Sequence, residues 1–121
     1  MPFKGFWLAL GALFNLFAVA MGAFAAHGLK NTLDAYSLGI IQTGVQYQFV
    51  HGSALIILSL LPASRLVKAS GVSFTLGILG FSGSLYLLAL TGDKIWGPVT
   101  PIGGTLFLLG WACLIVKGFK K

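Results

Sequence analysis

The side chains of this sequence that could do chemistry are few. It has two histidines, His27 and His51, two acids, Asp34 and Asp93, and one cysteine, Cys113. Most of its unusual polarity falls in one run, Gln42-Thr43-Gly44-Val45-Gln46-Tyr47-Gln48-Phe49-Val50-His51, with Asn15 standing apart. Two imidazoles without a carboxylate or thiolate beside them make a thin metal set, so no metal or other cofactor is expected. A proton relay needs a chain of titratable groups, and none is visible. No paired carboxylates, G-x-S-x-G, H-E-x-x-H or phosphate loop occurs, so no catalytic residue is assigned and an enzyme is not expected.

The elements that must position these residues are apolar. The chain has 121 residues, 57% hydrophobic and only 8% charged, where a soluble domain carries roughly a quarter charged. So little charge cannot cover a water-facing surface, and the excess apolar area is expected to face lipid. Spans of about 20 apolar residues fit at about 5–26, 41–61, 70–91 and 101–117. The runs do not alternate as barrel strands would. The expected fold is all-α, a single integral membrane domain built as a four-helix transmembrane bundle. The A-x-A-like Ala23-Phe24-Ala25 resembles a signal cleavage site, but the run before it is long enough to be a retained first helix.

Local signals refine the ends. Asn31 and Asp34 suggest a capping-box helix start. Leu29, Leu33, Tyr36 and Ile40 share a stripe there, so residues 28–40 form a short interfacial helix or extend span two. Pro101 suits a first helical turn, with Thr100 as its cap. Trp7 and Trp96 are expected at the headgroup level, and Ala54–Leu61 is apolar enough to face lipid.

Lys4, Arg65, Lys68, Lys117, Lys120 and Lys121 fall on one side of four spans, and Lys30 and Lys94 on the other. The more basic side is expected to be cytoplasmic, with both termini inside a multi-pass inner-membrane protein. The formal charge of +6 is too scattered for a nucleic-acid surface. The expected partners are membrane lipids, a second copy or another membrane protein.

Helices in lipid associate through small residues and interhelical hydrogen bonds. Gly11 and Gly22 with Asn15, then Gly77, Gly80 and Ser84, then Gly103 and Gly110 supply the packing stripes. A lone amide at Asn15 needs a partner on another helix. On span two, Gln42, Gln46 and Ser53 share one side, Tyr47 and His51 roughly the opposite one, with Gln48 between them. His51 reads most simply as a neutral, hydrogen-bonded packing residue. His27 ends span one and lies nearer the outer surface.

Several stretches carry a family resemblance. They are Gly22-Ala23-Phe24-Ala25-Ala26-His27-Gly28-Leu29, Thr43-Gly44-Val45-Gln46-Tyr47-Gln48-Phe49 with His51, Phe81-Ser82-Gly83-Ser84-Leu85-Tyr86, Leu90-Thr91-Gly92, Thr100-Pro101-Ile102-Gly103-Gly104 and Gly110-Trp111. In order and spacing the chain resembles the bacterial membrane family termed domain of unknown function 423, itself similar to transmembrane protein 256 of animals. It departs at Ala25, where glycine is usual, and at Gly52, where alanine is. The resemblance implies a small multi-helix inner-membrane protein and supplies no reaction. Two roles are therefore expected in turn: a non-enzymatic membrane-organising or stabilising factor, or a protein that binds or transports a small molecule, lipid or quinone through Asn15, His27, Gln42, Gln46, Tyr47, Gln48 and His51.

Overall fold

The computed structural model describes residues 4–120; Lys121, counted above among the basic residues, lies outside them. Helix α1 (Lys4–His27) is followed by turns and then α2 (Ala35–Leu58). Helix α3 (Arg65–Gly77) runs through one π-helical turn (Ile78–Ser82) into α4 (Gly83–Thr91), so α3 and α4 form one continuous rod. A short 3-10 turn (Lys94–Trp96) leads to α5 (Val99–Phe119). No strand occurs among the described residues. The protein is an all-α bundle of four long helical rods.

Three of these rods, Gly5–His27, Arg65–Thr91 and Lys94–Phe119, are long and apolar enough to cross a membrane. Helix α2 matches them in length, with 24 residues, but its glutamines and histidine lower its apolarity. Its position accounts for this. α2 packs along α1 on one side and against α3, the π-turn and α4 on the other, while α5 packs chiefly on α3 and the π-turn. The polar helix is the central one. Its apolar end divides: Ala54, Leu55 and Leu58 join Val67, Phe74, Ile78 and Phe107 in a core cluster, while Ile57 and Leu60 are exposed, as a lipid-facing stripe would be. At the other end Ile41 and Val45 meet Ala18, Ala25, Leu29 and Ala89 in a second cluster.

The helix ends follow side-chain capping, with differences from expectation. Asp34 itself caps α2 by accepting from the Ser37 N–H at 2.8 Å, so the segment is an extension of span two and residues 28–33 are turns rather than a separate interfacial helix. The same bond lowers the Asp34 pKa below its ordinary value. The cap is therefore intact above the usual carboxylate range and is lost as pH falls through the lowered value. Ser64 caps α3, accepting from the Val67 N–H, which starts that rod five residues before the predicted span. Helix α5 begins at Val99, so Thr100 is in its first turn and not its cap. Gly92, in the left-handed region at φ 71°, ends α4, a geometry glycine adopts without a Cβ penalty. Trp7 is half-buried with its ring laid on Gly71 of α3, which gives it a packing role.

Two backbone crossings fix how the rods meet. Gly11 lies where α1 crosses α2, and a Cβ there would come within 2.5 Å of the Gly52 carbonyl oxygen. Gly103 lies where α5 crosses the π-turn, and a Cβ there would strike the backbone of Gly80 and Phe81. Ser84 sits buried beside this second crossing and bonds the Thr100 hydroxyl. Gly77 and Gly110 accept the faces of Phe107 and Phe74, while Gly22 lies 3.6 Å (Cβ position) from Val45. At the second crossing the obstruction is backbone and cannot rotate away. Gly103→Val is therefore expected to lower stability by at least the ~1–3 kcal/mol typical of overpacking, measured by reversible unfolding in mixed micelles. Gly5→Ala, where nothing lies within 4 Å of the added carbon, is expected to leave it unchanged.

Candidate functional site

The polar run of α2 does not converge on one pocket. Its side chains leave the helix in three directions. Between the two apolar clusters, Gln48 and His51 are both buried and each joins α2 to other rods.

Gln48 bridges three helices. Its Nε2 donates to the Phe14 carbonyl of α1 at 2.7 Å, and its Oε1 accepts from the Tyr86 hydroxyl of α4 at 2.6 Å. The Tyr86 ring reaches Gln48 by lying across Gly44, one turn earlier, where a Cβ would meet it at 2.8 Å. Gly44 also offers its carbonyl to the Ser82 hydroxyl at 2.7 Å. Ser82 is the last residue of the π-turn, and the turn's closing bond is the i→i+5 contact from the Gly83 N–H to the Ile78 carbonyl. The wider turn thus aims a buried hydroxyl at α2. Such bulges are frequent where a helix must present a residue out of register.

His51 faces the opposite way, toward α5. Trp111 Nε1–H donates to His51 Nε2 at 2.9 Å, and His51 Nδ1 lies 2.7 Å from the Tyr47 carbonyl. Nε2 accepts, so Nδ1 carries the proton and the ring is the neutral tautomer, with both nitrogens engaged. Phe107 stacks on the imidazole with centroids 3.6 Å apart. Phe74 and Tyr47 extend this ring cluster, and the outer side of Tyr47 is exposed. The arrangement packs α2 on α5 and leaves the imidazole no free nitrogen for a ligand or a metal.

The remaining predicted residues lie elsewhere. Asn15 Nδ2 donates to the Ser53 hydroxyl across the α1–α2 crossing at 3.1 Å. Its Oδ1 is buried without a partner among the described residues and presses on Gly52, where a Cβ would overlap it. This explains why glycine stands at 52 in this chain. Gln42 and Gln46 are exposed beside Gly22 and Ala25, lining a recess of about 150 Å³. His27 is exposed at the end of α1 and is not brought to His51. Sequence reasoning missed Ser82, Tyr86 and Trp111 as partners. Ser70, fully buried, donates to the Gly110 carbonyl at 3.0 Å. Their signal was a polar atom inside an apolar run, but the partner carbonyls have no signature in sequence.

A family model described as "Protein of unknown function (DUF423)" matches residues 21–104. The chain is 47% identical to a UPF0382 membrane protein of Haemophilus influenzae over 98% of its length and 97% of the relative's. It is 43% identical to a UPF0382 membrane protein of Staphylococcus saprophyticus, covering 94% of this chain and 97% of that one. It is also 43% identical to the UPF0382 inner membrane protein YgdD of Escherichia coli K12, covering 95% and 90%. No solved structure matches.

The Gln48 bridge makes a measurable claim. In a double-mutant cycle of Gln48→Leu and Tyr86→Phe, the coupling energy is expected near the ~0.6 kcal/mol typical of interhelical hydrogen bonds in membranes, up to about 1.7. Reversible unfolding in mixed micelles reads it, and strict additivity of the two losses would contradict the bridge.

Proposed function

The chain belongs to the DUF423 family of membrane proteins, and from that premise we propose that it is a non-enzymatic membrane-organising or stabilising factor, working as a compact scaffold among lipids and neighbouring membrane proteins. The observation that carries this reading is that the buried polar side chains are hydrogen-bonded within the protein, the Asn15 Oδ1 being the exception among the described residues. Gln48 uses both ends of its amide and His51 both ring nitrogens. Ser70 and Ser82 donate to glycine carbonyls on neighbouring rods. Hydrogen-bonding capacity that a polar substrate would need is already spent on joining helices. Transport or binding of a polar ligand through the α2 run would have to rely on exposed Gln42 and Gln46 at a shallow recess, without His51.

The scaffold sits in the inner membrane as a multi-pass protein with both termini on the cytoplasmic side. The distribution of Lys and Arg supports that orientation, six residues on the side of the termini against two on the other. Helix α2 crosses as well, with Gln48 and His51 shielded by α1, α4 and α5 and Gln42 and Gln46 exposed nearer its N-terminal end. Hydrocarbon offers no hydrogen-bond partner, so a central position is what makes such a helix tolerable at membrane depth.

Two measurements test the proposal. Deletion of the gene is expected to change membrane integrity or the steady-state level of other membrane proteins, read by quantitative proteomics of the membrane fraction. An unchanged membrane and proteome would count against the scaffold role. Fusions are expected to give fluorescent green fluorescent protein at the C-terminus and active alkaline phosphatase in the 92–98 connection; the reverse pattern would invert the topology.

A further inference from the structure

A cleft of about 510 Å³ lies between α1 and the π-turn–α4 segment, over α2. One wall is Phe14, Phe17, Ala20 and Phe24 of α1; the other includes Leu79 and Gly83; Gln48 and Tyr86 form the floor. The two polar floor residues are committed to each other, so the cleft presents an almost wholly apolar lining. Phe17 and Phe24 are about half exposed along it.

We infer that this cleft is a binding site for one acyl chain of a phospholipid from the leaflet on the His27 side of the membrane. Three observations lead there. The first is length. Phe14 to Phe24 spans ten residues of α-helix, roughly 15 Å at 1.5 Å per residue. That is half of the ~30 Å hydrocarbon core, the depth of one leaflet. Phe14 lies near the middle of the 24-residue α1, so the cleft runs from mid-membrane to one surface.

The second is size. A volume of about 510 Å³ spread over roughly 15 Å is room enough for a single hydrocarbon chain lying along the groove. The third is the chemistry at the mouth. His27 continues the Phe17–Ala20–Phe24 stripe one turn further out and is exposed, and Lys30 is exposed in the turn that follows. The acids of the same side, Asp34 and Asp93, serve as caps, accepting from the Ser37 and Ile95 N–H groups. The exposed imidazole and ammonium are donors at the depth at which a lipid phosphate lies.

The inference rests on the reading of the chain as a membrane-embedded scaffold and names the lipid that the scaffold holds. Its test uses the full-length protein in nanodiscs of phosphatidylcholine and phosphatidylglycerol, released in native mass spectrometry. One phospholipid per chain is expected to persist at energies that strip the remaining lipid. Gly83→Leu is chosen to plug the cleft, because Gly83 lines it and nothing lies within 4 Å of a Cβ added there. It is expected to abolish the retained lipid while the melting temperature stays that of wild type. Ala20→Leu, from the opposite wall, serves if Gly83→Leu fails to fold. His27→Ala with Lys30→Ala is expected to lower the retained fraction of phosphatidylglycerol with the fold intact. Equal lipid retention by wild type and plugged variants overturns the inference. So does a wild-type dimer that falls apart on plugging, which would make the occupant a second copy. The scaffold role itself is read separately, from whether the plugged variant restores the deletion strain.

Discussion

The structure depends on the absence of water from its interior and surroundings. In hydrocarbon a polar group that lacks a protein partner costs several kcal/mol, so the polar side chains carried into the bundle are met by protein partners, with the Asn15 Oδ1 as the exception among the described residues. This makes Gln48 the central residue. One amide holds the backbone of α1 on one side and the phenol of α4 on the other, and its position on α2 decides which faces of those helices turn inward. His51 performs the same task toward α5, with the indole of Trp111 as partner and Phe107 filling the space over the ring. The polar layer lies between two apolar clusters and sets the register that apolar packing alone would leave loose.

Close approach is the second condition, and it follows from the first. A hydrogen bond between helices requires backbones near enough for short side chains to bridge them. Gly44 and Gly110 each leave room for an aromatic ring of the facing rod, Tyr86 and Phe74, beside the carbonyls that the serine hydroxyls reach. The π-turn at Ile78–Ser82 belongs to the same arrangement. It lies where Gly80 meets Gly103 and where Ser82 must point at α2, and an uninterrupted α-helix could not satisfy both at once.

The lipid-facing side completes the picture. Because α1 is tied to α4 through Gln48 rather than by direct packing along its length, its outward aromatic stripe stands away from the opposite wall and leaves the cleft. Phe17 and Phe24 are exposed there, a surface suited to hydrocarbon. The same bond that organises the bundle therefore shapes the surface it offers to the membrane.

Composition and pattern together determined that this chain is an all-α protein of apolar helices: 8% charge cannot cover a soluble surface, and long apolar runs that do not alternate exclude barrel strands. The first helix and the glycine stop at residue 92 were equally legible, because apolar runs and left-handed caps are local features. So was the need of Asn15 for a partner on another helix. The separation of the α2 polar run into three directions was decided only by tertiary structure. Helical periodicity gives the angle of Gln42, Gln48 and His51 around their own axis, but not which neighbour stands at that angle. Nor could the sequence show that Ala54, Leu55 and Leu58 face a core while Ile57 is exposed, since lipid and a protein interior are equally apolar and select the same residues. Backbone carbonyls, the partners of Gln48, Ser70 and Ser82, are identical at every position in the chain. What distinguishes the one that accepts is proximity, and proximity belongs to the fold.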